Sequence, residues 1–200
     1  MRNGADAIHR VIEQRAAAAG DAPAIIAGAQ VMSDRDLNQR ANALARRLMG
    51  AGLRRGAHVV TRLHRSPDLV VTLLAALKAG GVYTWVHPGD APTGIWIGGD
   101  VTSIRGYDFV DIGDPPISPA AASPNLPVMV RSSDIACLLP DHGRAPRAVC
   151  HGDVIATCLG PSTVLSLGWS LAANPLGVWS TLMTGATLAL PAYVPLPVAA

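Results

Sequence analysis

The sequence predicts a three-layer α/β domain whose sheet is mostly parallel and carries helices on both faces. A β-rich run at residues 57–63 is followed by an apolar helix that opens at Pro67 and by a second β-rich run at residues 82–86. Such a strand–helix–strand unit joins parallel neighbours. In addition, residues 154–200 contain no Asp, Glu, Lys or Arg, as expected where strands are buried on both faces of a parallel sheet.

The segments before and after this unit carry further signals. Apolar residues at helical spacing predict a first helix over residues 5–19, and a short strand follows at residues 24–26. Ser33 is a favourable N-cap for a second helix that ends at Gly50, because its side chain can accept from a free backbone N–H. The later stretch at residues 88–127 is rich in Gly, Pro, Asp and Ser and predicts a thin connector, with short strand-like runs at residues 95–97 and 109–112.

Composition excludes several classes of protein. The chain has 200 residues, of which 50% are hydrophobic and 15% charged, so it is long and apolar enough to fold around a core. A net charge of +2 gives no field that would indicate nucleic-acid binding. Three cysteines and six histidines lack the spacing of a metal site or a disulfide framework, which predicts a cytoplasmic protein without a metal. The N-terminus has no apolar stretch of the kind found in secretory signals.

The charge-free segment is also considered as a membrane span. A spanning helix needs about 20 consecutive apolar residues. Here Asn174, Pro175, Gly177 and Gly185 interrupt the run, and a buried strand–helix–strand unit is the preferred interpretation.

Three segments resemble the adenylation domains of nonribosomal peptide synthetases, in the acyl-adenylate-forming family. MSDRDLNQRANALARRLMGAGLRRGAHV is similar to the family's L-T-Y-x-E-L helix and the strand after it. LLAALKAGGVYTWVHP is similar to L-x-A-x-L-K-A-G-x-A-Y-V-P-I-D-P, and NPLGVWSTLMTGATLALP to a helix and strand ending in L-x-x-G-A-T-L-V-L-P. The order and spacing of the three agree with the family. The resemblance implies one truncated adenylation-like domain in three parts: residues 1–90, a shortened connector at 91–130, and an altered phosphate-loop region with an apolar βαβ part at 131–200.

The chain departs from the family where ATP and substrate would bind. The family's flexible loop T-S-G-T-T-G-x-P-K-G wraps the ATP phosphates with glycines, hydroxyls and backbone N–H groups. The corresponding stretch here is IACLLPDHGRAPRAVCHGDV, in which Asp141 would repel phosphate. The aspartate that pairs with the substrate's amino group corresponds to Ala172. The sequence as printed also ends before the family's adenine-binding loop, ribose-binding aspartate and catalytic lysine. The resemblance therefore implies no bound cofactor and no adenylation.

Three functions remain open at this point. The preferred one is a non-catalytic auxiliary or scaffold protein in nonribosomal peptide or related antibiotic biosynthesis, bound to itself as a homodimer or to a synthetase, carrier protein or tailoring enzyme. Its interface is predicted on the charge-free segment, around Trp169, Trp179 and Leu182. The alternatives are an enzyme with a rebuilt site of three residues, or one half of a split adenylation enzyme. The three residues of that rebuilt site are Cys150, His151 and His142.

Overall fold

The computed structural model describes residues 7–86, 95–100, 108–110, 123–141, 144–159 and 176–190. Five helices lie within these residues: α1 Ile8–Ala18, α2 Asp34–Gly50, α3 Pro67–Lys78, α4 His151–Leu159 and α5 Gly177–Thr184. The strands within the same residues are β1 Pro23–Ala27, β2 Gln30–Ser33, β3 Ala57–Thr61, β4 Val82–Trp85, β5 Ile95–Asp100, β6 Asp108–Val110, β7 Ile135–Asp141, β8 Arg144–Cys150 and β9 Leu188–Leu190.

The strands form two sheets. The large sheet has the order β6-β5-β3-β4-β7-β8, and its central strands β3, β4 and β7 are parallel. Strands β5, β6 and β8 pair antiparallel with their neighbours. The small sheet has the order β2-β1-β9, in which β1 and β2 form an antiparallel hairpin and β9 lies parallel to β1.

The predicted α/β class is confirmed, and so is the parallel pairing of the β3–α3–β4 unit. The two strand-like runs of the connector form β5 and β6, which join one side of the large sheet. One feature differs from the sequence-based expectation, because β8 returns antiparallel to β7. A two-residue connection permits only an antiparallel return, because a parallel crossover needs a dozen or more residues.

The helices link the two sheets. Helix α2 contacts the small sheet on one side and α3 on the other, and α3 lies against β3 and β4 of the large sheet. Helix α5 contacts β9, α1 and α4, and α4 contacts β8. Every residue of α3 from Leu69 to Lys78 is buried, as expected for a helix that is apolar on all sides. The core is therefore continuous from one sheet to the other.

Local capping explains where the helices begin and end. The Ser33 hydroxyl accepts from the N–H of Asp36 at 3.1 Å, which confirms the predicted N-cap of α2. Ser66 caps α3 in the same way, with Pro67 at its first turn. Helix α5 ends at Gly185, which has a left-handed φ of 95° that favours glycine. In the part of the chain that the structure describes, no helix combines the length and apolarity that crossing a membrane requires.

Candidate functional site

The segment that corresponds to the family's phosphate loop is a β-hairpin. Strands β7 and β8 pair from Ile135 with Cys150 to Asp141 with Arg144, and the register shifts at two points along the hairpin. Only His142 and Gly143 join the last paired residues. Two residues cannot form the long Gly- and Thr-rich loop that wraps phosphates, because such a nest needs several successive backbone N–H groups turned toward the anion. Of the basic residues in this segment, Arg147 is exposed on β8.

The base of this hairpin is anchored to the first helix. Cys150 is the last residue of β8 and His151 the first of α4. The His151 side chain is 1% exposed, and its Nδ1 accepts a hydrogen bond from the N–H of Ile8 at 3.2 Å. Helix α1 has Ala7 at its N-cap position and no side-chain cap of its own. The imidazole of His151 therefore takes the place of an N-cap residue for α1.

Backbone hydrogen bonds hold the same junction from the other side. The N–H of His151 donates to the carbonyl of Asp134 at 3.0 Å, and the N–H of Gly152 donates to the carbonyl of Ser132 at 2.8 Å. A Cβ on Gly152 would lie 3.2 Å from the Ser132 backbone, so the two chains approach closely here. The turn into α4 is thus held in place by contacts with residues 132–134.

Electrostatics keep both histidines at this junction neutral. Burial lowers the pKa of His151 to about 4, although the nearby Asp134 carboxylate opposes this shift. Burial and the positive charge of Lys78 lower the pKa of His9 to about 3. The two rings meet edge to face with centroids 6.1 Å apart. A neutral His151 can accept the Ile8 hydrogen bond, whereas an imidazolium could not.

The predicted Cys150–His151–His142 site stays a prediction, because His142 lies outside the described residues. The Nδ1 of His151 is already occupied by Ile8, and Cys150 is half-buried on the preceding strand. Of the other thiols, burial raises the pKa of Cys137 to about 11, and burial also raises the pKa of Cys158. His142 and Ala172 lie outside the described residues. Within the described residues, no group of three or more His, Cys, Asp or Glu side chains is arranged to hold a metal ion.

The interface prediction is wrong for two of its three residues. Trp179 is 0% and Leu182 1% exposed, because α5 packs against α1, α4 and β9 of the same chain. The indole N–H of Trp179 donates to the hydroxyl of Tyr83 at 2.7 Å, which satisfies its only polar group in the core. The apolar surface expected here is therefore an interior surface. Trp169 lies outside the described residues.

A buried ion pair was missed by the sequence analysis. The ammonium of Lys78 donates to Oε1 of Glu13 at 2.6 Å, and both side chains are buried. Arg10 donates to the other carboxylate oxygen of Glu13 at 2.8 Å. Burial lowers the pKa of Lys78 to about 8, while the hydrogen bond to Glu13 opposes the shift. The signal for this pair was that Lys78 is the only lysine of the chain and ends an otherwise apolar helix.

These features define a class of protein. It is an α/β protein in which helices join a large sheet with a parallel centre to a small sheet, and in which the β7–β8 hairpin leads directly into α4.

Comparisons with known proteins agree with this class. Residues 12–95 match the family model of the AMP-binding enzyme. Over 91 residues, or 46% of the chain, the sequence is 40% identical to tyrocidine synthase 3 of Brevibacillus parabrevis. Over 76 residues, or 38% of the chain, it is 45% identical to malpibaldin synthetase of Mortierella alpina. The chain spans only 1% of the length of each of these synthetases.

The fold is also similar to that of solved adenylation proteins. The Klebsiella oxytoca NpsA N-terminal subdomain, in complex with 3-hydroxyanthranilyl-AMSN, aligns with 96% of this chain and 55% of its own, with a TM-score of 0.66 and 22% identity. An artificially fused adenylation–PCP di-domain from the same organism, NpsA-ThdA, aligns with 96% of this chain and 40% of its own, with a TM-score of 0.65 and 22% identity. The chain therefore has the fold of adenylation proteins, and its residues 12–95 are similar in sequence to the AMP-binding enzyme family.

Proposed function

We propose that this protein is a non-catalytic, adenylation-like component of nonribosomal peptide or related antibiotic biosynthesis, and that it acts by binding another protein. The observation that carries the proposal is the β7–β8 hairpin, in which only two residues connect Asp141 with Arg144. Without a nest of backbone N–H groups and hydroxyls, the triphosphate of ATP has no site of the usual kind. Ala172, at the position of the family's amine-binding aspartate, supports the same conclusion, since a buried ammonium without a carboxylate is costly.

The binding partner proposed is a synthetase, a carrier protein or a tailoring enzyme in the cytoplasm. One of the similar solved structures, PA1221, is an NRPS protein containing adenylation and PCP domains, so a carrier next to this fold has a precedent in a protein of similar fold. A homodimer is the second arrangement. Any interface must use a surface other than Trp179 and Leu182, which are buried in the core.

Ligand binding tests the proposal directly. The purified chain is titrated with ATP and with 3-hydroxyanthranilyl-AMSN by isothermal calorimetry, and the Klebsiella oxytoca NpsA N-terminal subdomain serves as the positive control for the second ligand. We expect heat of binding from the control and none from this chain. Saturable binding of either ligand by this chain would contradict the proposal.

Pyrophosphate exchange provides a second, functional measurement. The chain is assayed with ATP and each of the common amino acids, and no exchange above the background without enzyme is expected. Exchange by the chain alone would show that the hairpin is compatible with adenylation. Exchange that appears only after addition of a second protein would instead favour the split-enzyme alternative.

A further inference from the structure

An irregular segment at residues 123–134 lies against helices α1 and α2. Leu126 anchors the segment in the core with 5% of its surface exposed. At its start, the guanidinium of Arg46 donates to the Ser123 hydroxyl at 2.5 Å and to the Pro124 carbonyl at 2.6 Å. In its middle, Arg10 donates to the Val128 carbonyl at 3.3 Å. The segment is therefore held against α1 and α2 by arginines from both helices.

Two more arginines surround the end of the segment. Arg55 donates to Oδ2 of Asp134 through two nitrogens, at 2.6 and 3.2 Å, and the N–H of Arg131 donates to the same oxygen at 2.9 Å. Partial burial raises the pKa of Asp134, but these hydrogen bonds outweigh it and hold the pKa below its usual value. Asp134 is thus ionised and already occupied by Arg55 and the Arg131 N–H.

The balance of charge along the segment is positive. Four arginines, at positions 10, 46, 55 and 131, lie on or against it. The two carboxylates in contact with them are Glu13 and Asp134, and Glu13 is also neutralised by Lys78. The segment also exposes apolar groups between these arginines. Met129 is 75% exposed, and Pro124 and Pro127 are exposed beside it.

We propose that the 123–134 segment and its flanking arginines form a docking surface for an acidic protein surface, one that presents carboxylates around an apolar side chain. Charge complementarity selects this partner, and arginine and methionine are side chains enriched at protein interfaces. A second copy of the chain is disfavoured, because a two-fold contact would place this positive face against itself. The proposal rests on the proposed function and names the chemistry of the partner.

Arginines would also attract a nucleic acid. The exposed apolar groups favour an acidic protein surface over a nucleic acid as the partner. Met129 and the two prolines offer nothing to a phosphate backbone, whereas they can pack against an apolar side chain of a protein. The chain's overall charge of +2 is also small for a nucleic-acid-binding surface.

The experiment measures binding to three fluorescent probes by anisotropy at low and at physiological salt. The probes are a helical peptide with glutamates around a leucine stripe, the same peptide with lysine in place of glutamate, and a single-stranded DNA of similar charge. We expect the chain to bind the glutamate peptide with an affinity that falls with salt, to bind the lysine peptide at least tenfold more weakly, and to bind the DNA more weakly than the glutamate peptide.

Two variants and a matched control locate the site. Arg131 has an exposed side chain, and its bond to Asp134 is made by the backbone N–H, which a substitution keeps. Arg131→Glu should therefore weaken binding of the glutamate peptide at least tenfold. Met129→Ser should weaken binding several-fold and leave the salt dependence unchanged. Arg147→Glu makes the same charge change at an exposed position of β8, outside the segment and its flanking arginines, and should alter the affinity less than twofold.

Three outcomes would overturn the docking surface: equal losses from Arg147→Glu and Arg131→Glu, no loss from either test variant, or tighter binding of the DNA than of the glutamate peptide. Failure of the proposed function is distinguishable, because it would appear as ATP or AMSN binding in calorimetry. That result leaves the peptide measurements unaffected.

Discussion

At the scale of single residues, His151 connects the altered phosphate-loop region with the start of the chain. It follows β8 directly, yet its ring accepts from the first N–H of α1. Such a contact substitutes for a missing N-cap, and N-caps typically contribute about 1 kcal/mol. A residue that resembles part of a nucleophilic site in the sequence is thus a structural acceptor in the fold.

The role of His151 predicts how stability depends on pH. In the unfolded chain the imidazole has its usual pKa of 6.5, while in the folded protein its pKa is about 4. Between these values the unfolded state binds a proton that the folded state does not, so stability is fully present above pH 6.5 and is lost as the pH falls towards 4. The loss from this residue is about 3 kcal/mol. Urea unfolding followed by circular dichroism between pH 4 and 7.5 measures it.

Two substitutions of His151 provide the control for this prediction. His151→Asn keeps an acceptor near the position of Nδ1 and removes the titrating group, so its stability should depend less on pH than that of the wild type. His151→Ala removes the acceptor as well and should be less stable than His151→Asn at pH 7.5. Because His9 has a pKa of about 3 and titrates over the same range, some pH dependence remains in both variants. Equal slopes for wild type and His151→Asn would contradict the assignment.

At the scale of secondary-structure elements, α1 and α3 are joined by a buried charge pair as well as by apolar packing. Lys78 at the end of α3 reaches Glu13 on α1, and both charges are removed from water. A pair of this kind is expensive to break by removing one partner, because the other charge is left buried.

For this pair we expect that substituting both residues lowers the free energy of unfolding less than substituting Lys78 alone. Lys78→Met should destabilise the protein by about 3 to 5 kcal/mol, because it leaves Glu13 without its buried counter-ion. The double variant Glu13→Leu with Lys78→Met removes both charges and should recover much of that loss. Free energies of unfolding from chemical denaturation compare the three proteins. A double variant less stable than Lys78→Met would show that the pair contributes more than its desolvation costs.

The starts of two helices were predicted correctly from the sequence, because a helix cap is formed by residues only a few positions apart. The N-cap of α2 depends on Ser33 and the N–H of Asp36, three residues later, and the Ser66–Pro67 start of α3 is equally local. The hairpin strand β2 was missed because its sequence, QVMS, is short and has no strong β pattern. The antiparallel return of β8 depends on pairing with β7, which a one-dimensional pattern does not reveal.

At the scale of the whole molecule, the described residues of the charge-free part, 154–159 and 176–190, contribute to the core. Strand β9 pairs with β1, and α5 lies against α1, so the C-terminal part packs on the first elements of the chain. A charge placed in this core should unfold the protein rather than separate two copies.

Leu182→Asp tests this directly. Leu182 is 1% exposed, so the substitution removes apolar contacts and buries a carboxylate without a partner, with an expected cost of several kcal/mol. Thr184→Asp places the same charge at an exposed position of the same helix and should be tolerated far better. Thermal melting and light scattering separate the outcomes. A folded Leu182→Asp monomer produced from a wild-type dimer would restore the interface interpretation.

The sequence by itself determined the α/β class, the start of α2 and α3, the relation to adenylation domains and the loss of the phosphate-binding pattern, because each depends on residues close together in the chain. Only the tertiary structure decided that His151 caps α1, that Glu13 neutralises Lys78, and that Trp179 is buried against Tyr83. These contacts join residues 143, 65 and 96 positions apart. Whether an apolar or charged side chain is buried depends on which distant element covers it, and that is settled only when the chain has folded.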